Sequence, residues 1–333
     1  MSEAAVSATI TRTPARARVP VLAVVNPTAG GDPGAMVGAL DEIDRVALRT
    51  VVTERAGDAE RLVLEQLVRE MPEVVVAVGG DGTAGQVAAA LHAVHAHTGT
   101  SPALLLTPGG TGNSSFRGLW DHRSWSEVVQ CALVSGRAST RTIDLALIEE
   151  FDALALLGCA TGLLPAALVA ARDLDGSGRD LLLRATAAAA ATYEPYPGRV
   201  IVDDRVTIEG DILVADVGGM RHRGGDFQLL PHSLLDDGLI DVCVVTAAAD
   251  LAELSRVALT AAIDELEGVH YARGRRIRLE RRDGHNLLIE HDGELMPHTH
   301  TGYAIRVVPR AVRVLVPDPP PACLTTTTER GAR

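Results

Sequence analysis

The sequence predicts an α/β domain followed by a β-rich domain, because its pattern changes once along the chain. Up to about residue 140, short apolar runs alternate with longer segments of helical period, which indicates a parallel sheet flanked by helices. Beyond about residue 198, strand-like segments such as DILVADV (211–217) follow at short spacing, which favours a mostly antiparallel β domain. Two helices, near 179–192 and 250–267, are expected as exceptions. A chain of 333 residues is long enough to bury a core in each domain.

The predicted domains are 19–141 and 142–317, and the first begins with the apolar strand VPVLAVV (19–25). Residues 1–18 are polar and rich in alanine, and residues 318–333 are rich in proline and threonine. Such segments cannot bury enough apolar surface to offset the entropy of ordering, so both ends are predicted to be disordered.

Composition excludes several function classes. All 31 basic side chains are arginine, because the chain has no lysine, and this rules out a Gly-x-x-x-x-Gly-Lys P-loop and a lysine nucleophile. The net charge of −12 and the aromatic content of 3% argue against nucleic acid as a partner. No apolar run reaches the roughly 18 residues that a membrane span needs, and the N-terminus lacks the apolar core of a signal peptide. A cytoplasmic location is therefore expected.

The four cysteines lie far apart in the sequence and form no Cys-x-x-Cys pair. A zinc or redox site is thus not indicated, and the cysteines are expected to be small buried hydrophobic residues.

Three strands of the first domain end in glycine-rich loops. These are LAVVNPTAGG (22–31), VVVAVGGDGT (74–83) and ALLLTPGGTGN (103–113). In an open α/β sheet the ligand crevice lies beyond the carboxyl ends of the strands. Glycines there let backbone N–H groups approach an anion, and a following helix N-terminus adds a positive partial charge. Three such loops together predict a phosphate site without lysine.

Asp81 lies in the second loop, where a bare carboxylate would repel phosphate. A magnesium ion held by the carboxylate and by phosphate oxygens reconciles the two, so the loop indicates a nucleotide with a metal. The alternative for any single loop is that its glycines form a tight turn and that Asp81 caps the next helix.

The loops and the segments after them resemble the diacylglycerol kinase catalytic-domain superfamily, which includes bacterial lipid kinases and sphingosine kinases and shares its fold with NAD kinases. The resemblance runs from about residue 20 to 316 and rests on the order and spacing of its pieces. They are VVNPTAGG (24–31), VVTERAGDAERL (51–62), GGDGT (79–83), PGGTGN (108–113), TIDLALI (142–148), GGDFQLLPHSLLDDGLIDVCVV (224–245) and IEHDGE (289–294). It implies an NAD kinase-like or diacylglycerol kinase-like nucleotide domain, a C-terminal β-sandwich, and an active site in the cleft between them.

The resemblance also implies roles for individual residues. Asp81 would help to hold the catalytic Mg²⁺, and Glu294 would take the proton from the substrate hydroxyl. A structural cation is implied at the Asp237 side chain and the main-chain oxygens around Leu234 and Leu239. The implied ATP-binding residues are Asn26, Thr53, Gly79, Gly80, Asp81, Gly82, Thr83, Gly85, Gly110, Thr111 and Asn113.

The sequence departs from the family pattern at several positions that surround the acceptor. The family usually has Asn-Glu where this chain has Gly85 and Gln86, and Asp where it has Ser114. A family Asn corresponds to Gly158, and an acidic position falls on Leu164 or Pro165. These changes remove carboxylates and amides, and they bear on the lipid substrate more than on the nucleotide.

The resulting prediction is an ATP- and Mg²⁺-dependent kinase of phospholipid metabolism that phosphorylates a lipid alcohol resembling diacylglycerol. The alternatives are a kinase for a soluble small-molecule alcohol in specialised metabolism, and a catalytically silent nucleotide- or lipid-binding sensor. NAD kinase ranks low, because the three asparagines, at 26, 113 and 286, all lack a following acidic residue. The oligomeric state stays open, a homodimer included.

Two polar segments have competing interpretations. RGRRIRLERR (273–282) holds six arginines, which either contact an anionic membrane from a peripheral position or pair with the excess of acids on a solvated strand; the second reading is slightly favoured. RHRGGD (221–226) is polar where the family tends towards glycine, so it is a candidate contact for a polar acceptor. The histidines at 92, 95, 97, 291, 298 and 300 lack metal-site spacing and are expected to be surface or polar-edge residues.

Overall fold

The computed structural model describes residues 18–55 and 57–324. The predicted disorder of residues 1–17 and 325–333 therefore lies outside the described residues.

The first part of the chain is a parallel sheet with helices between its strands, as the sequence predicts. The strand order is β2-β1-β3-β4, and all the pairs are parallel. β3 is buried at all five positions, which matches its unbroken run of valine and alanine. The elements are β1 (Val19–Val25), α1 (Pro33–Asp41), β2 (Val46–Val52), α2 (Asp58–Arg69), β3 (Val74–Val78), α3 (Asp81–Thr98), β4 (Ala103–Leu106), α4 (Ser114–Trp120) and α5 (Trp125–Val129).

The second part is β-rich and its strands pair antiparallel, again as predicted. Its helices are α6 (Leu163–Ala170), α7 (Gly178–Ala190) and α8 (Leu251–Ala258), so the helix expected near 250–267 is shorter than the sequence suggests. The strands are β5 (Ala138–Ile148), β6 (Ala153–Ala155), β7 (Cys159–Gly162), β8 (Tyr196–Val202), β9 (Val206–Gly218), β10 (His222–Arg223), β11 (Phe227–Gln228), β12 (Ile240–Thr246), β13 (Val269–Gly274), β14 (Arg276–Arg281), β15 (Ile289–His291), β16 (Glu294–Leu295) and β17 (Gly302–Pro317).

Two long strands connect the halves. β17 pairs antiparallel with β5 along most of its length and parallel with β4 through Val314 and Leu104. Its apolar residues at 311, 312 and 314–316 belong to the hydrophobic core of the parallel sheet, whereas Tyr303 and Ile305 belong to the core of the β-rich half. The division at 141/142 proposed from the sequence falls inside β5, and Cys323 and Leu324 pack against the core of the parallel sheet.

The predicted disorder from residue 318 onwards is wrong for residues 318–324. Cys323 and Leu324 are buried in the first core. The Leu235 N–H donates to the Cys323 carbonyl at 2.8 Å, and the Cys323 thiol donates to the Gly118 carbonyl at 3.1 Å. The proline-rich composition predicted disorder, but the two apolar side chains after the prolines pack against the core of the parallel sheet. All four cysteines are buried and free, as predicted.

Candidate active site

The three glycine-rich loops meet at the carboxyl edge of the parallel sheet. The Gly31 N–H donates to the Gly109 carbonyl at 3.2 Å. A Cβ on Gly109 would lie 2.8 Å from the Gly79 carbonyl oxygen, and one on Gly110 would overlap the Gly80 backbone. The backbones touch because none of these residues has a side chain. The loops therefore form one glycine surface, as their positions after β1, β3 and β4 predict.

The other residues predicted to bind nucleotide surround this surface. The Asn26 amide donates to the Thr83 hydroxyl at 3.4 Å, and the Thr53 hydroxyl donates to the Val25 carbonyl at 3.3 Å. Thr111 is exposed on the third loop. Asn113 closes that loop: its side-chain oxygen accepts the Gly110 N–H at 2.6 Å and its amide donates to the carbonyl of residue 108 at 3.2 Å. The amide of Asn113 is thus engaged in shaping the loop.

Asp81 begins α3, but its carboxylate serves a different helix. It accepts the Ser115 N–H at 2.8 Å and the Ser114 N–H at 3.1 Å, both in the first turn of α4. Gly80 is the N-cap of α3 and makes no side-chain capping bond. The alternative that Asp81 caps the helix after its loop is therefore wrong. Burial raises the pKa of Asp81, against the lowering effect of the two backbone N–H groups.

Glu294 reaches the same end of α3 from the β-rich half. It follows the tight turn between β15 and β16, its carboxylate accepts the Gln86 amide at 3.4 Å, and a Cβ on Gly82 would lie 2.7 Å from its Oε1. The side chain is exposed to solvent. Asp81 and Glu294, the two residues predicted to be catalytic, thus both lie at the N-terminal end of α3.

Asp292 is a residue that the sequence reasoning quoted without assigning it a role. Its backbone is left-handed, with a φ of 49°, and its side chain is only 3% exposed. The carboxylate accepts the N–H groups of Leu156, Leu157 and Gly158 at 3.0, 2.7 and 3.2 Å. It therefore anchors the turn that carries Glu294 to the segment before β7. The DGE triplet was the available signal, but its partners lie more than 130 residues away.

A cleft cavity of about 620 Å³ opens beside Glu294. α3 contributes Gly85, Gln86 and Ala89 to one wall, and His291 lies with Glu294 at the polar end. The rest of the lining mixes the apolar residues Ala93, Leu147, Phe151, Leu154 and Val308 with the charged residues Glu60, Asp152, Asp292 and Arg306. The cavity therefore joins a carboxylate to an apolar wall between the two halves of the chain.

At two positions that depart from the family pattern, Gly85 and Ser114, the residue present fits the contacts of its neighbours. A Cβ on Gly85 would overlap the Asp292 carboxylate, so glycine is needed for Asp292 to lie against α3. The Ser114 hydroxyl accepts the Gly225 N–H at 3.3 Å while its own N–H binds Asp81.

Gly158 has a similar explanation. A Cβ there would overlap Nη2 of Arg223, and the φ of Gly158 is 134°. Arg223 comes from the RHRGGD segment, donates to Asp216 at 2.7 Å and donates to the Leu157 carbonyl at 3.0 Å. It is buried, so it does not face a ligand in the cleft as the sequence suggested for this segment.

Glu290 lies in the same buried group of charges. Its carboxylate accepts the Gly293 N–H at 2.9 Å, and burial raises its pKa to about 7. Because Gly293 directly precedes Glu294, Glu290 and Asp292 together hold the turn on which the predicted base is mounted.

At the predicted structural cation site, the Asp237 carboxylate is already paired with an arginine. Asp237 forms an ion pair with Arg273, and its second oxygen accepts the Leu239 N–H at 3.1 Å. The charge that a cation would need is already compensated, so this arrangement does not favour a cation between Asp237 and the main chain at Leu234 and Leu239. Among the described residues, no group of three or more His, Cys, Asp or Glu side chains is arranged to hold a metal ion.

The arginine-rich segment follows the solvated-strand interpretation. It forms β14 and the ends of its neighbours, and five of its six arginines pair with acidic side chains: Arg273 with Asp237, Arg276 with Glu149, Arg278 with Asp204, Arg281 with Asp283, and Arg282 with Glu209.

Related proteins identify the family. Residues 20–148 match the diacylglycerol kinase catalytic domain, and residues 178–316 match the YegS C-terminal NAD kinase beta sandwich-like domain. A probable lipid kinase YegS-like protein of Stenotrophomonas maltophilia is 30% identical over 286 residues, which cover 82% of this chain and 87% of the relative. The chain belongs to the YegS-like lipid kinase family of the diacylglycerol kinase superfamily.

Further similarities agree with this YegS-like assignment. A probable lipid kinase YegS-like protein of Pectobacterium atrosepticum is 30% identical over 280 residues, covering 82% of this chain and 88% of the relative. The crystal structure of a diacylglycerol kinase from Bacillus anthracis superposes with a TM-score of 0.63 at 19% identity, over 89% of this chain and 96% of that chain, which supports the fold. Both the α/β catalytic domain and the β-sandwich-like domain of the prediction are confirmed. Within residues 18–55 and 57–324 of this YegS-like chain, no helix has both the length and the apolar content needed to cross a bilayer.

Proposed function

We propose that this YegS-like protein transfers the γ-phosphoryl group of ATP to the hydroxyl of a lipid alcohol resembling diacylglycerol. The observation that carries the proposal is the position of Glu294: its carboxylate lies over Gly82 at the start of α3, between the glycine surface and the apolar cleft. A phosphoryl donor on one side and a hydroxyl on the other would meet at this carboxylate.

The glycine surface is the proposed site for the ATP phosphates. Backbone N–H groups in the three loops supply donors without a lysine, and the N-terminus of α3 adds a positive partial charge. The predicted ATP-binding residues Asn26, Thr53, Thr83 and Thr111 lie in or beside these loops. Their hydroxyl and amide groups would orient the nucleotide.

Asp81 is the proposed magnesium ligand. Each of its oxygens accepts one backbone N–H, and a carboxylate oxygen has a further lone pair free for a cation. Mg²⁺ is generally held by one or two carboxylates together with substrate phosphates, so a dedicated cluster of acids is not required. When bound, the metal would neutralise charge on the phosphates during transfer. The backbone contacts with α4 keep the Asp81 carboxylate facing the loops.

Glu294 is the proposed general base. It is solvent-exposed, and among the described residues it accepts a single, weak hydrogen bond, the 3.4 Å contact from Gln86, so it would be free to accept a proton from the substrate hydroxyl. Asp292 and Glu290 restrain the turn that carries Glu294. This restraint would keep the Glu294 carboxylate aligned with the substrate hydroxyl when the acceptor binds.

The acceptor would lie in the cleft, with its hydroxyl at Glu294 and its acyl part along Ala89, Leu154 and Val308. An interface would present such a substrate, so the protein would act from the cytoplasm in peripheral contact with a membrane. This supports a lipid over a soluble alcohol, because a small polar alcohol gains nothing from an apolar wall.

The test is ADP release from ATP and Mg²⁺ with a panel of lipid alcohols in mixed micelles and of soluble alcohols. Turnover that requires a micellar lipid and falls at least about 100-fold in Glu294→Gln is expected. Equal turnover of a soluble alcohol without an interface would contradict the lipid acceptor and favour a kinase for a soluble alcohol. ATP binding without turnover on any acceptor would contradict catalysis and favour the sensor.

A further inference from the structure

A second cavity, of about 540 Å³, lies at the opposite edge of the parallel sheet from the glycine loops. It is lined by Val19, Val74 and Ala103, the first residues of β1, β3 and β4. The three glycine-rich loops follow the last residues of the same strands. The two cavities are therefore separated by the length of the sheet, and a ligand in this one would not be a part of the proposed active site.

Two arginines line this cavity without a carboxylate partner. Arg45 donates to the Val134 carbonyl at 3.0 Å, and Arg313 donates to the Ser101 carbonyl at 2.6 Å. In the described part of the chain neither guanidinium forms an ion pair, and Nε of Arg45 is buried without a hydrogen-bond partner. By contrast, five arginines of the segment 273–282 pair with acidic side chains.

Ser101 adds an independent observation. It lines the same cavity, is only 2% exposed, and its hydroxyl has no hydrogen-bond partner. A buried hydroxyl without a hydrogen-bond partner is unfavourable, so a bound acceptor at Ser101 would be favoured. A hydroxyl and two guanidinium groups together form a donor set, and the group that satisfies such a set is an anion with several acceptor oxygens.

The remaining lining residues indicate the chemistry of the rest of the ligand. Met71, Pro72, Pro102, Leu133 and Leu315 are apolar, and Glu73 is the one carboxylate among the lining residues. The volume lies within the range of about 300–1,000 Å³ that is typical of small-molecule sites. From this combination we infer that the cavity binds an amphipathic organic anion, with a phosphate or carboxylate head at Arg45, Arg313 and Ser101 and an apolar body along the leucines and prolines.

Binding would stabilise the fold measurably, because the ligand contacts both the sheet edge and β17. A ligand that binds the folded state alone raises stability by RT ln(1 + [L]/Kd). Arg313 and Leu315 lie on β17, which continues into the β-rich core. The thermal midpoint of the full chain is therefore a direct readout, and it is independent of catalysis.

The experiment measures calorimetric binding and thermal midpoints with octyl phosphate, octanoate, inorganic phosphate and octanol. The variants are Arg45→Gln, Arg313→Gln and Ser101→Ala, and Arg282→Gln, directly after β14, is the control. We expect octyl phosphate or octanoate to bind and raise the midpoint, with Kd weakened at least about tenfold in each arginine variant and unchanged in Arg282→Gln. Each variant is compared with its own unliganded midpoint, and Ser101→Ala, which removes one hydroxyl, gives a test that does not depend on the arginine variants folding.

Several outcomes would overturn the inference. Octanol binding as tightly as octyl phosphate would remove the anion selectivity, and inorganic phosphate binding equally tightly would remove the apolar part. Binding that persists in Arg45→Gln and Arg313→Gln would place the ligand elsewhere, the proposed active-site cleft included. Absence of binding by both octyl phosphate and octanoate would contradict the site itself.

Discussion

The Asp81 carboxylate accepts the Ser115 backbone N–H at 2.8 Å, so the first residue of α3 holds the first turn of α4. This contact fixes the carboxylate beside the glycine loops while leaving lone pairs for a cation. It gives Asp81 both a structural and a proposed metal-binding role, and the two roles make different predictions.

Asp81→Asn should reduce turnover at least about 100-fold, because the amide is a poor magnesium ligand and removes the negative charge. The free energy of unfolding should fall by only about 1 kcal/mol, since one backbone N–H can still donate to the amide oxygen. ADP release and urea unfolding measure the two effects. Asp250→Asn is the matched control, because Asp250 also accepts two backbone N–H groups, at 2.8 and 3.2 Å, at the start of α8. Unchanged turnover in Asp81→Asn would exclude Asp81 from the mechanism.

Gln86→Glu should lower kcat/KM about fivefold to tenfold, because a second carboxylate beside Glu294 would replace the amide that now lies 3.4 Å from Oε1 and would repel the phosphates of the proposed ATP. ADP release with the best acceptor of the panel measures the effect. Gln130→Glu, on the exposed segment after α5, adds the same charge elsewhere and should leave kcat/KM unchanged. An unchanged kcat/KM in Gln86→Glu would count against phosphoryl transfer beside Glu294.

Gly85→Ala should destabilise the fold by about 1–3 kcal/mol, because its Cβ would overlap the buried Asp292 carboxylate. Gly38→Ala, in the interior of α1, is the control: a Cβ there meets no atom within 4 Å, so this variant should gain about 0.4–1 kcal/mol. Urea denaturation of both variants gives the comparison. Equal stability changes would mean that Asp292 does not lie against α3.

Removal of either partner of the Arg223–Asp216 pair should destabilise the fold by about 3–5 kcal/mol, because the remaining charge is buried. Arg223→Met combined with Asp216→Leu should be more stable than the sum of the two single changes predicts. A double-mutant cycle by urea unfolding measures this coupling. The exposed pair of Arg282 and Glu209 is the control and should show about 0–1 kcal/mol. Additive effects at 223 and 216 would contradict a buried ion pair.

Glu290 should make the protein less stable as pH rises from about 4.5 to about 7. Burial raises its pKa in the folded state to about 7, and the ordinary value is 4.5. In this window the unfolded chain loses the proton while the folded chain keeps it, so the free energy of unfolding falls with increasing pH. Below the window both states are protonated, and above it the full loss of about 3 kcal/mol is present. Arg223, Asp216 and Asp292 face the same carboxyl and shape this value.

Glu290→Gln removes this titration, so its stability should depend less on pH than that of the wild type. Urea unfolding of both proteins at about pH 5 and about pH 8 checks the prediction. An identical pH dependence in wild type and variant would show that Glu290 keeps an ordinary pKa in the folded protein.

The sequence by itself determined the order of the elements and the positions of the three glycine loops. Apolar runs such as β3 and the glycines after them are local patterns, and parallel strands necessarily bring their carboxyl ends to one edge. Asp81 was singled out by its place in the second glycine loop, whereas Glu294 was named only through the resemblance of the IEHDGE segment to the family. Sequence reasoning could not predict that Cys323 and Leu324 pack against the core of the first domain, because the proline-rich composition around them carries no information about residues that are distant in the chain.

Only the tertiary structure decided what surrounds the residues predicted to be catalytic. Asp292 binds the N–H groups of residues 156–158, and Arg223 fills the space beside Gly158, yet no periodicity links positions 66 or 135 residues apart. The same holds for β17, whose two halves enter different cores. Hydrophobic patterns specify which face of an element is buried, whereas the partner of a buried charge depends on how distant elements pack, and that information is not local.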